Sequence, residues 1–330
     1  GIDVCYYPAA SSIGTVLPSN APSVNSLWAP AIAMKIPAVL KPGREDPWTP
    51  FRLIQAFIKA GIPAEAFGYY PTTHEGADTI LNTCSRGIAF GGDDTVAKYA
   101  ANPNISCHGT GRSKVLIGED MVDDWPNLID ALVTSVSANS GRSCICASTI
   151  ITPRHGDEIA KALAEKLSEI KPLAQDDENA RLSGFANPAM AEWIDSKLEE
   201  GLKEGGAEDV SAPLRGNSPR KVEMYGQNYM HPTIVRCDSI DHPLAKTEYL
   251  VPYAAVVEMP QADMYDNIGP SLVISAFTKD QGWINQLMRS PEIDRLNTGV
   301  MPTCQVQWEQ PHEGNLFEFL YHRRAIQRAS

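Results

Sequence analysis

Short apolar runs separated by helix-forming stretches of 8 to 12 residues recur from Ile13 to Phe90, and this alternation restricts the chain more than any other feature. Ile13–Leu17, Pro37–Pro42, Ala66–Tyr70 and Gly87–Phe90 read as strands, the second buried and ending on a lysine. Between them, Val24–Met34, Thr49–Ala60 and Gly76–Asn82 read as helices, the second with Pro50 in its first turn and Gly61 as its stop. Strands without polar alternation, each followed by a helix, predict a parallel sheet covered on both faces, an α/β fold. Farther on, a helix is expected over Trp125–Ala138, another over Gly156–Ile170 and a third over Met190–Leu202. Strands are expected over Ser113–Ile117, His231–Arg236, Tyr253–Val257 and Leu272–Ala276, and a helix over Gln281–Met288. The second series forms its own α/β layer, so two lobes are expected, as the 330-residue length also suggests.

Composition narrows the function. A net charge of -12 without any Lys/Arg run argues against a nucleic-acid partner. No apolar run approaches the ~20 residues that span a bilayer, and no signal-like segment opens the chain, so no membrane partner and a cytoplasmic location are expected. Seven scattered cysteines are an odd number and fit no disulfide framework, and none pairs with another Cys or His at zinc spacing, so no metal is expected.

The chemistry is expected at Asn139–Ala147, where a glycine turn joins the end of a helix to the apolar run Thr149–Thr152. A cysteine on such a turn can be presented to a cleft while both flanks fix it, which makes Cys144 the candidate nucleophile over the alternative of core filler. Phe90–Val96 passes from strand to helix through Gly91 and Gly92, which lets backbone approach an anion. Asp93 and Asp94 beside them cap the helix and oppose that reading. His108–Arg112 carries only part of a glycine fingerprint.

Taken in order, several segments resemble the NAD(P)-dependent aldehyde dehydrogenase superfamily. Pro18-x-Asn20-x-Pro22 matches its Pro-Trp-Asn-x-Pro, Leu40-Lys41-Pro42 with Thr49-Pro50 resembles its Lys-Pro-x-x-x-Thr-Pro, and Ala60–Pro63 matches Ala-Gly-Leu-Pro. Gly141-Arg142-Ser143-Cys144 corresponds to Gly-Gln-x-Cys, and Pro232-Thr233 followed by Glu248–Pro252 to Pro-Thr followed by Glu-x-Phe-Gly-Pro. The resemblance implies an incomplete Rossmann-type coenzyme domain over residues 13–112, an α/β catalytic domain over 113–312, an oligomerisation-hairpin strand over 1–12 and a C-terminal segment over 313–330. It implies NAD or NADP as cofactor and a small aldehyde as substrate, oxidised to a carboxylic acid through a thiohemiacetal and thioester on Cys144.

On the same pattern the Asn20 amide and the Cys144 backbone N–H stabilise the oxyanion, while Lys41, Glu45, Gly91, Gly92, Glu248 and Leu250 are the cofactor-binding residues. Arg44 and Glu45 pull oppositely between NADP and NAD. His108 stands where the family's water-activating glutamate belongs, and is a catalytic candidate in its place. His312 and Glu313 are second candidates for that base. Asp93 and Leu250 depart from the pattern beside the pyrophosphate and the nicotinamide ribose. The missing glutamate leaves two alternatives open: acyl transfer to coenzyme A, or a degenerate homologue with a structural role. Family members carry further sequence ahead of the position of Ile2, so the strand at residues 1–9 is expected to lack its hairpin partner. A homo-oligomer, or a complex with a chain that supplies the absent part, follows from that expectation.

Overall fold

A computed structural model describes residues 4–216, 218–307, 309, 310 and 314–328, and the chain divides into two compact units. One comprises residues 1–110 and 314–330, the other residues 111–313.

The first unit is built on β1 (Val4–Pro8), β2 (Ile13–Val16), β3 (Ala38–Lys41), β4 (Phe67–Tyr69), β5 (Arg86–Phe90) and β6 (Ile105–His108). Helices α1 (Pro30–Ala33), α2 (Trp48–Lys59), α3 (His74–Thr83) and α4 (Asp93–Tyr99) run between them. Five strands form a parallel sheet in the order β4-β3-β2-β5-β6. From β2 the chain winds outward through β3 and β4, then crosses back to β5 and β6. The winding therefore reverses between β2 and β5, and the crevice at the C-terminal ends of those two strands is where such a sheet binds ligands. Ile13, Leu40 and Ile88 from three neighbouring strands pack with Trp28, Ile32 and Ile54, all buried. Trp28 satisfies its indole N–H on the Asn25 side chain at 2.8 Å.

Ahead of α1, residues Pro22–Leu27 form a 3-10 turn, so the single helix expected over Val24–Met34 is two short pieces. Pro30 is the reason, since it has no N–H to carry a helix through.

The second unit carries β7 (Lys114–Ile117), β8 (Thr149–Thr152), β9 (Ala207–Asp209), β10 (Lys221–Met224), β11 (Gln227–Met230), β12 (Thr233–Cys237), β13 (Tyr253–Glu258), β14 (Ser271–Phe277) and β15 (Ile293–Thr298). Its seven-stranded sheet has the order β15-β14-β7-β8-β13-β12-β9, parallel except for β9. Strands β10 and β11 make a separate hairpin across Tyr225 and Gly226, both with positive φ. Helices α5 (Ile129–Ser137), α6 (Gly156–Ser168) and α7 (Pro188–Lys203) cover this sheet. Along β7, Val115 and Ile117 join a core with Leu132, Leu163 and Val256, while Leu116 joins the opposite core with Ile194, Leu198 and Tyr253. Burial on both faces explains why the strand sequences show no polar alternation.

The helix expected over Trp125–Ala138 begins as a 3-10 turn, Val122–Asn127, that contains Pro126, and α5 proper starts at Ile129. Strands β9, β10, β11 and β15 were not expected from sequence. β1 does not lack a partner: β16 (Tyr321–Ala325) pairs with it antiparallel, Val4 opposite Ala325 through Pro8 opposite Tyr321. β16 thus covers one edge of β1, in a sheet of two strands. Among the described residues no helix is long and apolar enough to cross a membrane.

Candidate active site

Helix α5 ends at Ser137, and three successive residues then adopt the left-handed conformation, Asn139 (φ 49), Ser140 (φ 58) and Gly141 (φ 66). Side chains rarely accept this backbone, so the turn is held from outside. The Asn139 amide donates to Ser143 Oγ at 3.0 Å, and Ser140 Oγ accepts from the Ser183 N–H at 3.0 Å. Arg142 donates to the carbonyls of Ser183 and Gly184 and lies over the Phe185 ring, 4.8 Å from its centroid. At Gly141 a Cβ would fall 2.3 Å from the Val251 carbonyl, so glycine is required there by space as well as by φ. Both the turn and the residues that brace it place Cys144 five residues ahead of β8.

The cysteine's own backbone is clamped from the segment that leads into β7. Ser113 Oγ donates to the Cys144 carbonyl at 2.8 Å, and Gly111 packs so closely on that carbonyl that an added Cβ would sit 2.0 Å away. The two cysteines of the turn are thereby given different surroundings. Cys146 is 5% exposed, donates its thiol to the Ala138 carbonyl at 3.2 Å, and burial pushes its pKa up to about 12. It is a core residue. Cys144 is partly exposed.

A guanidinium stands near it. Arg295, on β15, donates to the Thr303 carbonyl at 2.8 Å and interacts electrostatically with Cys144 and Cys304. Burial lowers its pKa, and the two thiols oppose that shift. A cation beside a thiol favours the thiolate. Sequence reasoning missed Arg295 because it missed β15, and only the charged pair Asp294-Arg295 in the run Ile293–Thr298 marks the place.

Glu248 lies in the same unit. Its carboxylate accepts the Arg112 N–H at 2.6 Å and is also bonded by the Gly111 N–H. Burial dominates and pushes its pKa up to about 7, while the two amides and the Arg112 charge pull it down. Glu248 is thus fastened to the segment that clamps Cys144. Leu250, two residues on, is half-buried, next to Tyr249, whose ring meets those of Trp193 and Tyr253 edge-on.

The other candidates lie in the first unit, on loops leaving the C-terminal ends of its strands. Asn20 follows β2, Lys41 closes β3, Glu45 follows it exposed, and Gly91 and Gly92 follow β5. Ser19 Oγ accepts the N–H groups of Glu45 and Asp46, which ties the Asn20 loop to the loop after β3. Gly92 caps α4 with open space where a Cβ would be, whereas Gly91 is crowded by Thr95. Asp93 and Asp94, expected to cap α4, lie inside its first turn instead, behind Gly92 as N-cap without a side-chain cap bond, and Asp93 accepts from Thr110 at 3.4 Å. An open glycine after β5 and a lysine at the end of β3, beside β2, are suited to the riboses and phosphates of a dinucleotide, while the acidic pair in the first turn of α4 opposes a phosphate on that helix.

His108, at the end of β6, is 5% exposed, stacks on Phe90 at 4.8 Å and bonds Ser106 Oγ at 3.2 Å. His312 and Glu313 lie outside the described residues. All seven cysteines are free, and among the described residues no group of three or more His, Cys, Asp or Glu could hold a metal ion.

Comparison with known proteins bears on this geometry. A family model described as "Aldehyde dehydrogenase family" matches residues 4–268. The 5-carboxymethyl-2-hydroxymuconate semialdehyde dehydrogenase of Escherichia coli is 25% identical over 291 residues, which is 84% of this chain and 61% of that protein. Malonate-semialdehyde dehydrogenase 1 of Geobacillus kaustophilus is 21% identical, over 78% of this chain and 53% of that one. The present chain thus spans between half and two thirds of the length of these relatives. Among solved structures, an aldehyde dehydrogenase from Bacillus cereus in complex with NAD+ superposes with a TM-score of 0.83 at 17% identity, covering 98% of this chain and 69% of that chain.

Proposed function

Since the chain belongs to the aldehyde dehydrogenase family, we propose that it oxidises an aldehyde to a carboxylic acid with NAD or NADP, using Cys144 as nucleophile. The observation that carries this reading is the partly exposed Cys144 thiol on a left-handed turn, with its carbonyl clamped by Ser113 and Gly111 and a guanidinium in electrostatic reach.

In this reading Arg295 favours the thiolate, which attacks the aldehyde carbonyl to give a thiohemiacetal. The Cys144 backbone N–H and the Asn20 amide are the assigned oxyanion donors. A bound nicotinamide dinucleotide supplies the hydride acceptor. On the family pattern Lys41, Glu45, Gly91, Gly92, Glu248 and Leu250 are the residues that would hold it, Lys41 and Glu248 by its riboses. Loss of hydride from the thiohemiacetal leaves a thioester on Cys144, and water then releases the acid and restores the thiol.

A second reading rests on His108. Packed on Phe90 at 5% exposure, it is poorly disposed to activate water, which favours coenzyme A as the acyl acceptor. The assay separates the two. Malonate semialdehyde, after which relatives are named, is mixed with each dinucleotide and reduced nicotinamide is followed by absorbance. The first reading expects turnover and free acid without coenzyme A, abolished in Cys144→Ala. Turnover only after coenzyme A is added selects the second, and dinucleotide reduction that survives Cys144→Ala refutes both.

A further inference from the structure

We propose that Arg142 is a positioning residue for Cys144: it ties the cysteine's turn to residues 182–185 and through them to β11, and so sets the direction of the Cys144 N–H and thiol. The proposal rests on the reading of Cys144 as nucleophile. Where the family's pattern places glutamine, this chain carries the arginine. The left-handed run from Asn139 to Gly141 is costly for the backbone, and two of the side chains that hold it reach one and the same segment. Ser140 Oγ accepts the Ser183 N–H, while a single guanidinium nitrogen of Arg142, Nη2, donates to the Ser183 carbonyl at 2.8 Å and the Gly184 carbonyl at 2.9 Å. The same guanidinium lies over the Phe185 ring. A glutamine brings no charge to that ring, and a lysine brings no planar fork.

Residues 182–185 are themselves fixed. Phe185 donates its N–H to the Asn228 carbonyl of β11 at 2.8 Å in an isolated antiparallel bridge. Gly184 packs so closely on the neighbouring Gln227 that an added Cβ would fall 3.0 Å from the glutamine Cβ. Leu182 belongs to the core that holds Val136, Ala147 and Tyr229, and Phe185 to the opposite core with Met230 and Val251. Val251 is also the residue whose carbonyl faces Gly141. The segment is therefore a rigid post, and Arg142 is the longest side chain that moors the turn to it. Cys144 is held from both directions along the chain: its carbonyl by Ser113 and Gly111, and the residues ahead of it by Ser140 and Arg142. Its N–H, the assigned oxyanion donor, lies on the Arg142 side. Cutting that mooring leaves the carbonyl clamped while the N–H and the thiol lose their fixed direction relative to Arg295.

The test follows alkylation of each cysteine of the whole chain by iodoacetamide across a range of pH, resolved by peptide mass spectrometry, with the buried Cys237 as the reference for an intact fold. In Arg142→Gln the rate at Cys144 at pH 7 should slow several-fold and its profile move to higher pH, in the direction of Arg295→Met, while Cys237 stays protected. Arg142→Lys, which keeps the charge and a donor, should recover part of the rate. If Arg142→Gln does not fold, Ser140→Ala and Phe185→Leu, each lacking one contact of the same mooring, are expected to move Cys144 the same way. This measurement needs neither aldehyde nor dinucleotide, so it reads the placement of the thiol whether or not the chain oxidises an aldehyde. In turnover, Arg142→Gln should lower kcat by roughly tenfold or more with KM for the dinucleotide unchanged. A lower melting temperature with the Cys144 profile of the unaltered chain, a lysine variant no better than the glutamine one, or Cys237 becoming reactive together with Cys144 would each overturn the proposal.

Discussion

The two sheets carry their candidate residues at opposite ends of their strands. In the five-stranded sheet, Asn20, Lys41, Gly91 and Gly92 sit where β2, β3 and β5 end, the usual ligand edge of a parallel sheet. In the seven-stranded sheet, Cys144 and residues 111–113 sit where β8 and β7 begin. A loop leaving a strand needs room for a ligand, and Gly92 has it. A nucleophile needs to be held still, and the segment around Gly141, with every side braced, does that. Under the proposed function, the difference teaches that openness goes with the dinucleotide edge and over-determination with the nucleophile's turn.

The two glycines give the sharpest way to break this comparison. Gly141→Ala puts a Cβ into the Val251 carbonyl at a φ of 66 and should destabilise the second unit by roughly 3 kcal/mol or more, with activity lost. Gly92→Ala meets nothing within 4 Å at a φ of -76, so stability should stay within about 0.5 kcal/mol while KM for the dinucleotide rises. Thermal melts and steady-state kinetics on both variants decide it. A stable Gly141→Ala enzyme would mean that the turn is not braced as described.

Next in size is Arg295→Met. Without the guanidinium the Cys144 thiolate loses a neighbouring cation, and alkylation by iodoacetamide at pH 7 should slow several-fold. The rate against pH, read by mass spectrometry at Cys144, checks it; an unshifted profile would remove Arg295 from the chemistry.

Glu248 supplies a smaller, pH-dependent effect. Its folded pKa of about 7 lies above the model-peptide value of 4.5, so the protonated form favours the fold. That contribution is whole below about pH 4.5 and is lost as pH rises through about 7. In Glu248→Gln the stability difference between pH 5 and pH 8, from urea melts, should narrow by a few kcal/mol at most. An unchanged difference would show that the carboxyl titrates normally.

How much of this was legible in the sequence follows from the same contrast. The buried parallel strands Ile13–Val16, Ala38–Lys41, Tyr253–Glu258 and Ser271–Phe277 announce themselves because burial on two faces leaves uninterrupted apolar runs. β15, with Asp294, Arg295 and Asn297, does not: it pairs with β14 at the edge of the sheet, where polar side chains are tolerated. Thus Arg295 went unseen. The Cys144 turn was readable from Gly141 and the helix ahead of it, but the left-handed Asn139 and Ser140 that aim it depend on Ser183, Gly184 and Val251, far along the chain. The partner of β1 was unreadable for a like reason, because Tyr321–Ala325 is charged and exposed and is a strand only by virtue of the pairing.

The central claim is that Cys144, and no other thiol, carries the acyl group. Mixing the chain with malonate semialdehyde and excess dinucleotide, quenching in acid within one turnover, and mapping the adduct by peptide mass spectrometry tests it directly. The account predicts an acyl mass on the peptide containing Cys144, absent without dinucleotide and absent in Cys144→Ser. An adduct on Cys304 or Cys146 in place of Cys144, with dinucleotide reduced in the same sample, would contradict it.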